Sequence, residues 1–230
     1  LLPINSDEKV TAMIPIKDFE KGKYLVMATK NGIIKKTELM EYDTSRKSGL
    51  AAINLDDDDE LIRVKLTDGN QQIILGTRHG MAIRFSEKDV RPMGRTTHGV
   101  KAITLNEGDY VVGMSLVRDG ADLLVVTENG FGKKTDLNEY RVQTRAGKGI
   151  TTYKITEKTG EVAGIKTVTD KDDVMLITSD GTIIRLKVKD ISRLGRVTQG
   201  VTLMRMDENV HVVGLARTED TEDEDEENND

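Results

Sequence analysis

Four short apolar runs recur along the chain, at residues 25–28, 73–75, 123–126 and 174–177. Each leads into a polar tripeptide that ends in glycine: Lys30-Asn31-Gly32, Arg78-His79-Gly80, Glu128-Asn129-Gly130 and Ser179-Asp180-Gly181. These glycines are spaced 48, 50 and 51 residues apart. A second set, Gly49, Gly99, Gly149 and Gly200, is spaced 50, 50 and 51. Two landmarks that keep one period define a repeat, and a period of about 40–50 residues points to propellers, solenoids or related arrays.

Each repeat predicts four short strands. In the third copy they fall at 111–117, 122–127, 131–136 and 150–155. The apolar runs suit strands buried on both faces. The glycine tripeptides suit hairpin turns, because glycine accepts the positive φ that primed turns need. The third strand alternates, which turns Ile34, Ile83 and Ile184 inward and Lys35, Arg84 and Arg185 outward. No segment holds a helical apolar period for long. The expected fold is all-β and propeller-like, with about four blades of four antiparallel strands. The repeats fall at about 11–62, 63–112, 113–163 and 164–214 of a body spanning 1–218. Residues 1–4 read as a strand left from an earlier repeat.

The formal net charge of −6 hides an asymmetry. Residues 219–230 carry nine acidic side chains and no basic one, so without them the body stands at +3. Such a tail is expected to be solvated and disordered. A basic body with an acidic tail suits a nucleic-acid binder. There is no cysteine, which excludes disulfides and thiolate metal sites and fits a cytoplasmic location. No apolar run is long enough to span a membrane, and no cofactor or membrane partner is expected.

The cations recur with the repeat. Four places before each closing glycine stand Ser45, Arg95, Arg145 and Arg196, with the first arginine shifted to Arg46. Lys47, Arg91, Lys101, Lys148 and Arg193 lie nearby. Lys35, Lys36, Arg84, Lys133, Lys134 and Arg185 add third-strand cations. In a propeller, a cation at one blade position becomes a stripe, which predicts a track for a phosphate backbone. The chain has three Phe, five Tyr and no Trp. Few stacking platforms favour a double-stranded partner over a single-stranded one.

Other motifs fall short. Gly130-Phe131-Gly132-Lys133-Lys134-Thr135 lacks the first glycine of a phosphate loop, where Thr127 stands. The acidic run at 56–60 has Leu61 where a calcium loop needs glycine. His79, His98 and His211 lack metal-ligand spacing, although His98 lies in a basic loop that could touch a phosphate. Thr96, Thr97 and Thr198 could donate to phosphates or satisfy their own turns. No nucleophilic triad stands out.

The segments Leu1-Leu2-Pro3, Met27-Ala28-Thr29-Lys30-Asn31-Gly32, Val90-Arg91-Pro92-Met93-Gly94 and Asn129-Gly130-Phe131-Gly132-Lys133 are similar to the C-terminal domain of the DNA gyrase A subunit. The resemblance covers nearly the whole chain. It implies a β-pinwheel, in which neighbouring blades exchange strands. It also implies that duplex DNA wraps around a basic rim, in support of ATP-dependent negative supercoiling by the whole enzyme. The implied partners are double-stranded DNA, the remainder of the gyrase A subunit, and the gyrase B subunit, in an A2B2 assembly in the bacterial cytoplasm. The family's box, Q-R-R-G-G-K-G, matches Gln143-Thr144-Arg145-Ala146-Gly147-Lys148-Gly149 at five of seven positions. That match sits in the third repeat, so the box itself is expected upstream, in a family that has six blades. The catalytic tyrosine belongs to another region of the family, so no chemistry is expected in this chain. Two other readings stand beside this one. One is the equivalent domain of topoisomerase IV, and the other a propeller-like protein-interaction module.

Overall fold

A computed structural model describes Glu8, residues 10–45 and residues 49–219 of the protein. The expectations for residues 1–4, Arg46, Lys47 and the tail beyond Glu219 lie outside the described residues.

Among the described residues, fifteen strands build four antiparallel sheets. The first repeat supplies β1 (Tyr24–Thr29), β2 (Ile33–Glu38) and β3 (Leu61–Thr67). Then come β4 (Gln72–Thr77), β5 (Met81–Ser86), β6 (Val100–Lys101) and β7 (Val111–Leu116). The third set is β8 (Asp122–Thr127), β9 (Phe131–Asp136), β10 (Ile150–Thr151) and β11 (Val162–Val168). The last is β12 (Asp172–Thr178), β13 (Ile183–Lys187), β14 (Val201–Thr202) and β15 (Val212–Glu219). Glu219, which the charge pattern assigns to the tail, is the last residue of β15.

The apolar runs form the middle strands β1, β4, β8 and β12, which are almost wholly buried. Each is flanked on one side by its hairpin partner. On the other side lies β3, β7, β11 or β15. These four strands pack against their neighbours in sequence, β3 on β7, β7 on β11 and β11 on β15, and so line the axis of the array. The segment read as opening the third repeat, β7, instead pairs with β4 and completes the second sheet.

The outer edges carry strands exchanged between repeats. β6 pairs with β2, β10 with β5, and β14 with β9. Each exchanged strand is anchored alike, because Ala102 N, Thr152 N and Leu203 N donate to the carbonyls of Gly32, Gly80 and Gly130 at 2.8 Å. This is the strand exchange of a pinwheel. The expected fourth strand at 150–155 is therefore a two-residue strand that serves the preceding sheet. The last sheet, β13-β12-β15, has three strands and no exchanged fourth among the described residues.

Three cores lie between blades. Val26 and Ile34 of the first blade meet Leu75, Phe85 and Met114 of the second. Ile74 and Ala82 meet Leu123, Val125 and Tyr153, and Leu124 and Val126 meet Val174, Leu176 and Leu215. A fourth core, Leu25, Met27 and Leu39 against Leu61 and Leu66, lies within the first repeat itself. The other three are shared, so much of the stability runs through junctions.

All four turn glycines have positive φ, between 77° and 87°. They do not sit in primed turns. In each case the glycine N–H donates to the residue three places back, as Gly130 does to Thr127 at 3.1 Å. The two residues between keep negative φ. This is a type I turn closed by a left-handed glycine. At Gly130 a Cβ would stand 2.3 Å from the carbonyl oxygen of Met204 on the exchanged segment, so close approach as well as φ demands glycine there.

Candidate nucleic-acid interface

Cross-strand register fixes where each third-strand cation points. Met27 faces Lys35, Leu75 faces Ile83, Val125 faces Lys133 and Leu176 faces Ile184. Val26, Ile74, Leu124 and Met175 face Lys36, Arg84, Lys134 and Arg185. Lys35 is thus the counterpart of Ile83 and not of Arg84, one residue from the expected register. The blades alternate. The first and third carry Lys-Lys-Thr where the second and fourth carry Ile-Arg-Phe or Ile-Arg-Leu.

The outward orientation expected of Lys35 is therefore corrected: both Lys35 and its counterpart Lys133 have 0% exposure. The loop of the next repeat folds back over them and takes their protons into hydrogen bonds. Lys35 Nζ donates to the carbonyl of Ala52 at 2.7 Å and to that of Arg95. Lys133 Nζ donates to Gly195 O at 2.6 Å, to Arg196 O, and to Thr198 Oγ1 at 3.0 Å. Burial lowers both lysines to about 8, a shift that Glu41 and Glu139 oppose and that Arg95 and Arg196 reinforce. Carbonyl dipoles replace the lost water only in part.

The neighbouring position forms a latch across each blade junction. Lys36 Nζ donates to Glu87 O at 2.7 Å, Arg84 Nη1 to Leu137 O at 2.7 Å, and Lys134 Nζ to Val188 O at 3.0 Å. Lys36 and Lys134 are buried, and burial lowers Lys36. Lys134 also pairs with Asp170. Arg185, in the last blade, pairs instead with Asp173 of its own sheet.

The loop arginines occupy one repeated place in successive repeats. Arg95 Nη1 donates to Ala51 O at 3.0 Å, Arg145 Nη1 to Lys101 O at 2.9 Å, and Arg196 Nη1 to Thr151 O at 2.7 Å. The acceptors are equivalent residues, each two places after a closing glycine. Each guanidinium has five donors in a fixed fork, so several remain for an oxyanion. All three arginines are half-buried. Arg91, Lys101 and Lys148 are exposed beside them. Arg193 is exposed too, but it bridges Asp122 at 2.7 Å and Asp136 at 3.0 Å. Thr97 and Thr198 hydroxyls donate to Gly94 O and Gly195 O at 2.9 Å, which satisfies their turns. His98 lies 3.3 Å from Asp56.

Sequence reasoning missed Arg141. It is exposed and stands eight places before Gly149, as Arg91 stands eight before Gly99. Counting back further from the closing glycines finds it. Among the described residues, no three His, Asp or Glu side chains converge as a metal site, and no helix is long and apolar enough to cross a membrane.

A profile described as DNA gyrase C-terminal domain, beta-propeller, matches residues 23–68, 71–118, 121–169 and 172–219. The boundaries of the four matches follow the sheets, each ending on an axial strand. The DNA gyrase A subunit of Staphylococcus epidermidis is 48% identical over 225 residues, which are 96% of this chain and 25% of that protein. The chain thus spans about a quarter of the length of the curated relatives it matches. A solved C-terminal domain of DNA topoisomerase IV superposes with a TM-score of 0.89 at 35% identity, covering 95% of this chain and 68% of that one. A solved DNA gyrase A C-terminal domain gives 0.85 at 27% identity, covering 94% and 72%. The exchanged strands, the four matched repeats and these relatives agree: the chain belongs to the DNA gyrase C-terminal domain family of β-propellers.

Proposed function

We propose that this chain binds and wraps duplex DNA along its outer edge, as the C-terminal part of a gyrase A subunit. The carrying observation is the repeated placement of Arg95, Arg145 and Arg196, each docked on the carbonyl two places after the preceding closing glycine, with guanidinium donors to spare. Arg91, Lys101, Arg141 and Lys148 extend the same edge. Arg46 and Lys47 belong to it by sequence position. Lys35, Lys36, Lys133 and Lys134 act beneath it, as buried supports that hold the loops and junctions; Arg84 latches the middle junction. Contacts of this kind neutralise phosphates without reading bases, so binding is salt-dependent and tolerant of sequence.

In the whole enzyme, with the rest of the A subunit and with the B subunit, the wrap presents a second duplex segment for passage and supports ATP-dependent negative supercoiling in the bacterial cytoplasm. The chain itself takes no part in bond breakage on this reading. Its tyrosines support that: Tyr140, Tyr153 and the Tyr42 hydroxyl are buried, and burial pushes the Tyr140 phenol up to about 12. Tyr24 and Tyr110 lie under cations, Tyr24 beneath Lys36 and Tyr110 beneath Lys30 and Arg78.

Closing nicked circular DNA in the presence of the chain tests the wrap. A changed linking number after ligation is the expected result. Binding without any change in linking number would leave a DNA-binding module that does not wrap.

A further inference from the structure

We propose that the axial cavity, where the inner strands of all four sheets meet, is a binding site for a small, multiply charged oxyanion. The cavity measures about 240 Å³ and is lined by Lys65 of β3, Ser115 of β7, Arg118, Lys166 of β11 and Arg217 of β15. Four of these side chains are cationic, and no carboxylate lines the space.

The register shows how they converge. Val26 pairs with Lys65, Ile74 with Ser115, Leu124 with Lys166 and Met175 with Ala216. One repeat position therefore holds Lys, Ser, Lys and Ala in turn. The small residues leave room into which the two lysines reach. The one carboxylate at hand is Asp172, which bridges Arg118 at 3.1 Å and Arg217 at 3.0 Å. Four cations against one carboxylate leave an excess of three positive charges. Among the described residues, the side chains of Lys65, Lys166 and the adjacent Arg63 make no hydrogen bond or ion pair. Burial, and then Arg63, Lys65 and Arg217, lower Lys166 to about 8. Lys65 is lowered for the same kinds of reason.

Unpaired, half-buried cations of one sign oppose folding, and an anion among them reverses that sign. The space equals roughly eight waters at 30 Å³ each, enough for a diphosphate. Ser115 Oγ accepts from Thr167 N at 3.3 Å, which leaves its proton for the anion. The cluster faces the axis, on the opposite edge of the sheets from the loop arginines, and so stands apart from the DNA track.

Two sources offer this chemistry: a free phosphate anion, or the chain's own acidic residues, which begin directly after β15. Calorimetric titration with pyrophosphate tests the site and separates the sources. It is done on the full chain and on a full-length chain whose acidic residues between 220 and 230 are changed to Asn or Ser. Each is compared with its Lys166→Met form and with its Lys88→Met form, Lys88 being an exposed lysine on the turn after β5. Saturable binding is expected, weakened about tenfold or more by Lys166→Met, the loss of one charge-assisted hydrogen bond, and unchanged by Lys88→Met. Equal binding by both chains makes the free anion the occupant. Binding only by the neutralised chain makes the tail the occupant. Lys166→Met removes an unpaired charge, so its unfolding midpoint without pyrophosphate should not fall. Lys65→Met gives a second, independent variant with the same expectation. No pyrophosphate binding by either chain, or equal binding by the Lys166→Met and Lys88→Met forms, overturns the proposal.

Discussion

Lys36 Nζ donates a 2.7 Å hydrogen bond to the main-chain carbonyl of Glu87, a residue of the next blade, and lies 3.9 Å from the carboxylate of the same residue. Both side chains are buried. The carboxylate is held in turn by Thr67 Oγ1 at 2.8 Å and by Gln71 N at 2.6 Å. One residue thus receives the latch from its neighbour through two different groups. Replacing Lys36 by methionine leaves a buried carboxylate without its cation, which is expected to destabilise the protein by about 3–5 kcal/mol. Urea unfolding measures it. The double variant Lys36→Met, Glu87→Leu should recover part of the loss, because the uncompensated charge has gone. Equal losses in the single and double variants would show that the hydrogen bond to the carbonyl, and not the ion pair, carries the junction.

The turn glycines give a prediction with an internal control. Gly130 and Gly181 have φ of 77° and 87°, so alanine at either is expected to cost about 1 kcal/mol or more in backbone strain. Their surroundings differ. At Gly181 nothing lies within 4 Å of an added Cβ, whereas at Gly130 the Met204 carbonyl lies 2.3 Å away. Gly130→Ala should therefore cost about 1–3 kcal/mol more than Gly181→Ala, as overpacking does. Similar midpoints for the two variants would mean that the exchanged strand yields easily.

Stability should peak at about pH 10. Lys35, Lys133 and Lys166 are held near 8 by burial, below the ordinary lysine value of about 10.4. Between these values the unfolded chain holds protons that the folded chain has lost, so stability rises with pH. Tyr140 works the other way. Its folded value of about 12 exceeds the ordinary value of about 10, so above pH 10 the unfolded chain loses the proton first and stability falls. Urea midpoints measured from pH 7.5 to 11 should climb and then drop, and Lys133→Met should flatten the climb. A steady decline from pH 8 would contradict the burial of these lysines.

The features that recur within a repeat were legible in the sequence. Buried middle strands announce themselves as apolar runs, and turn glycines by their period. The exchanged strands were not legible, because two residues such as Ile150 and Thr151 carry no pattern and their partners lie in the preceding repeat. Nor was the burial of Lys35 and Lys133. Each is covered by a loop about 60 residues away, at Arg95 and at Gly195. A strand read alone shows a lysine, and only the folded-back loop shows that its ammonium faces carbonyls instead of water. The loop arginines were found because they keep a fixed distance from a glycine. Arg141 keeps such a distance too, and Arg193 stands one place out of step with it.

On the proposed function, phosphates follow the loop arginines along the outer edge. The deciding experiment is duplex affinity across a salt series, for the unaltered chain and for Arg95→Ala, Arg145→Ala, Arg196→Ala combined. A second variant, Arg91→Ala with Arg141→Ala, removes exposed cations whose side chains make no hydrogen bond or ion pair among the described residues, and so guards against effects on folding. Binding by the unaltered chain should weaken steeply with salt and vary little with sequence. In the triple variant, the slope of log affinity against log salt should flatten by about 0.9 for each phosphate that is no longer neutralised. Unchanged affinity and unchanged slope in both variants would place the DNA elsewhere on the molecule.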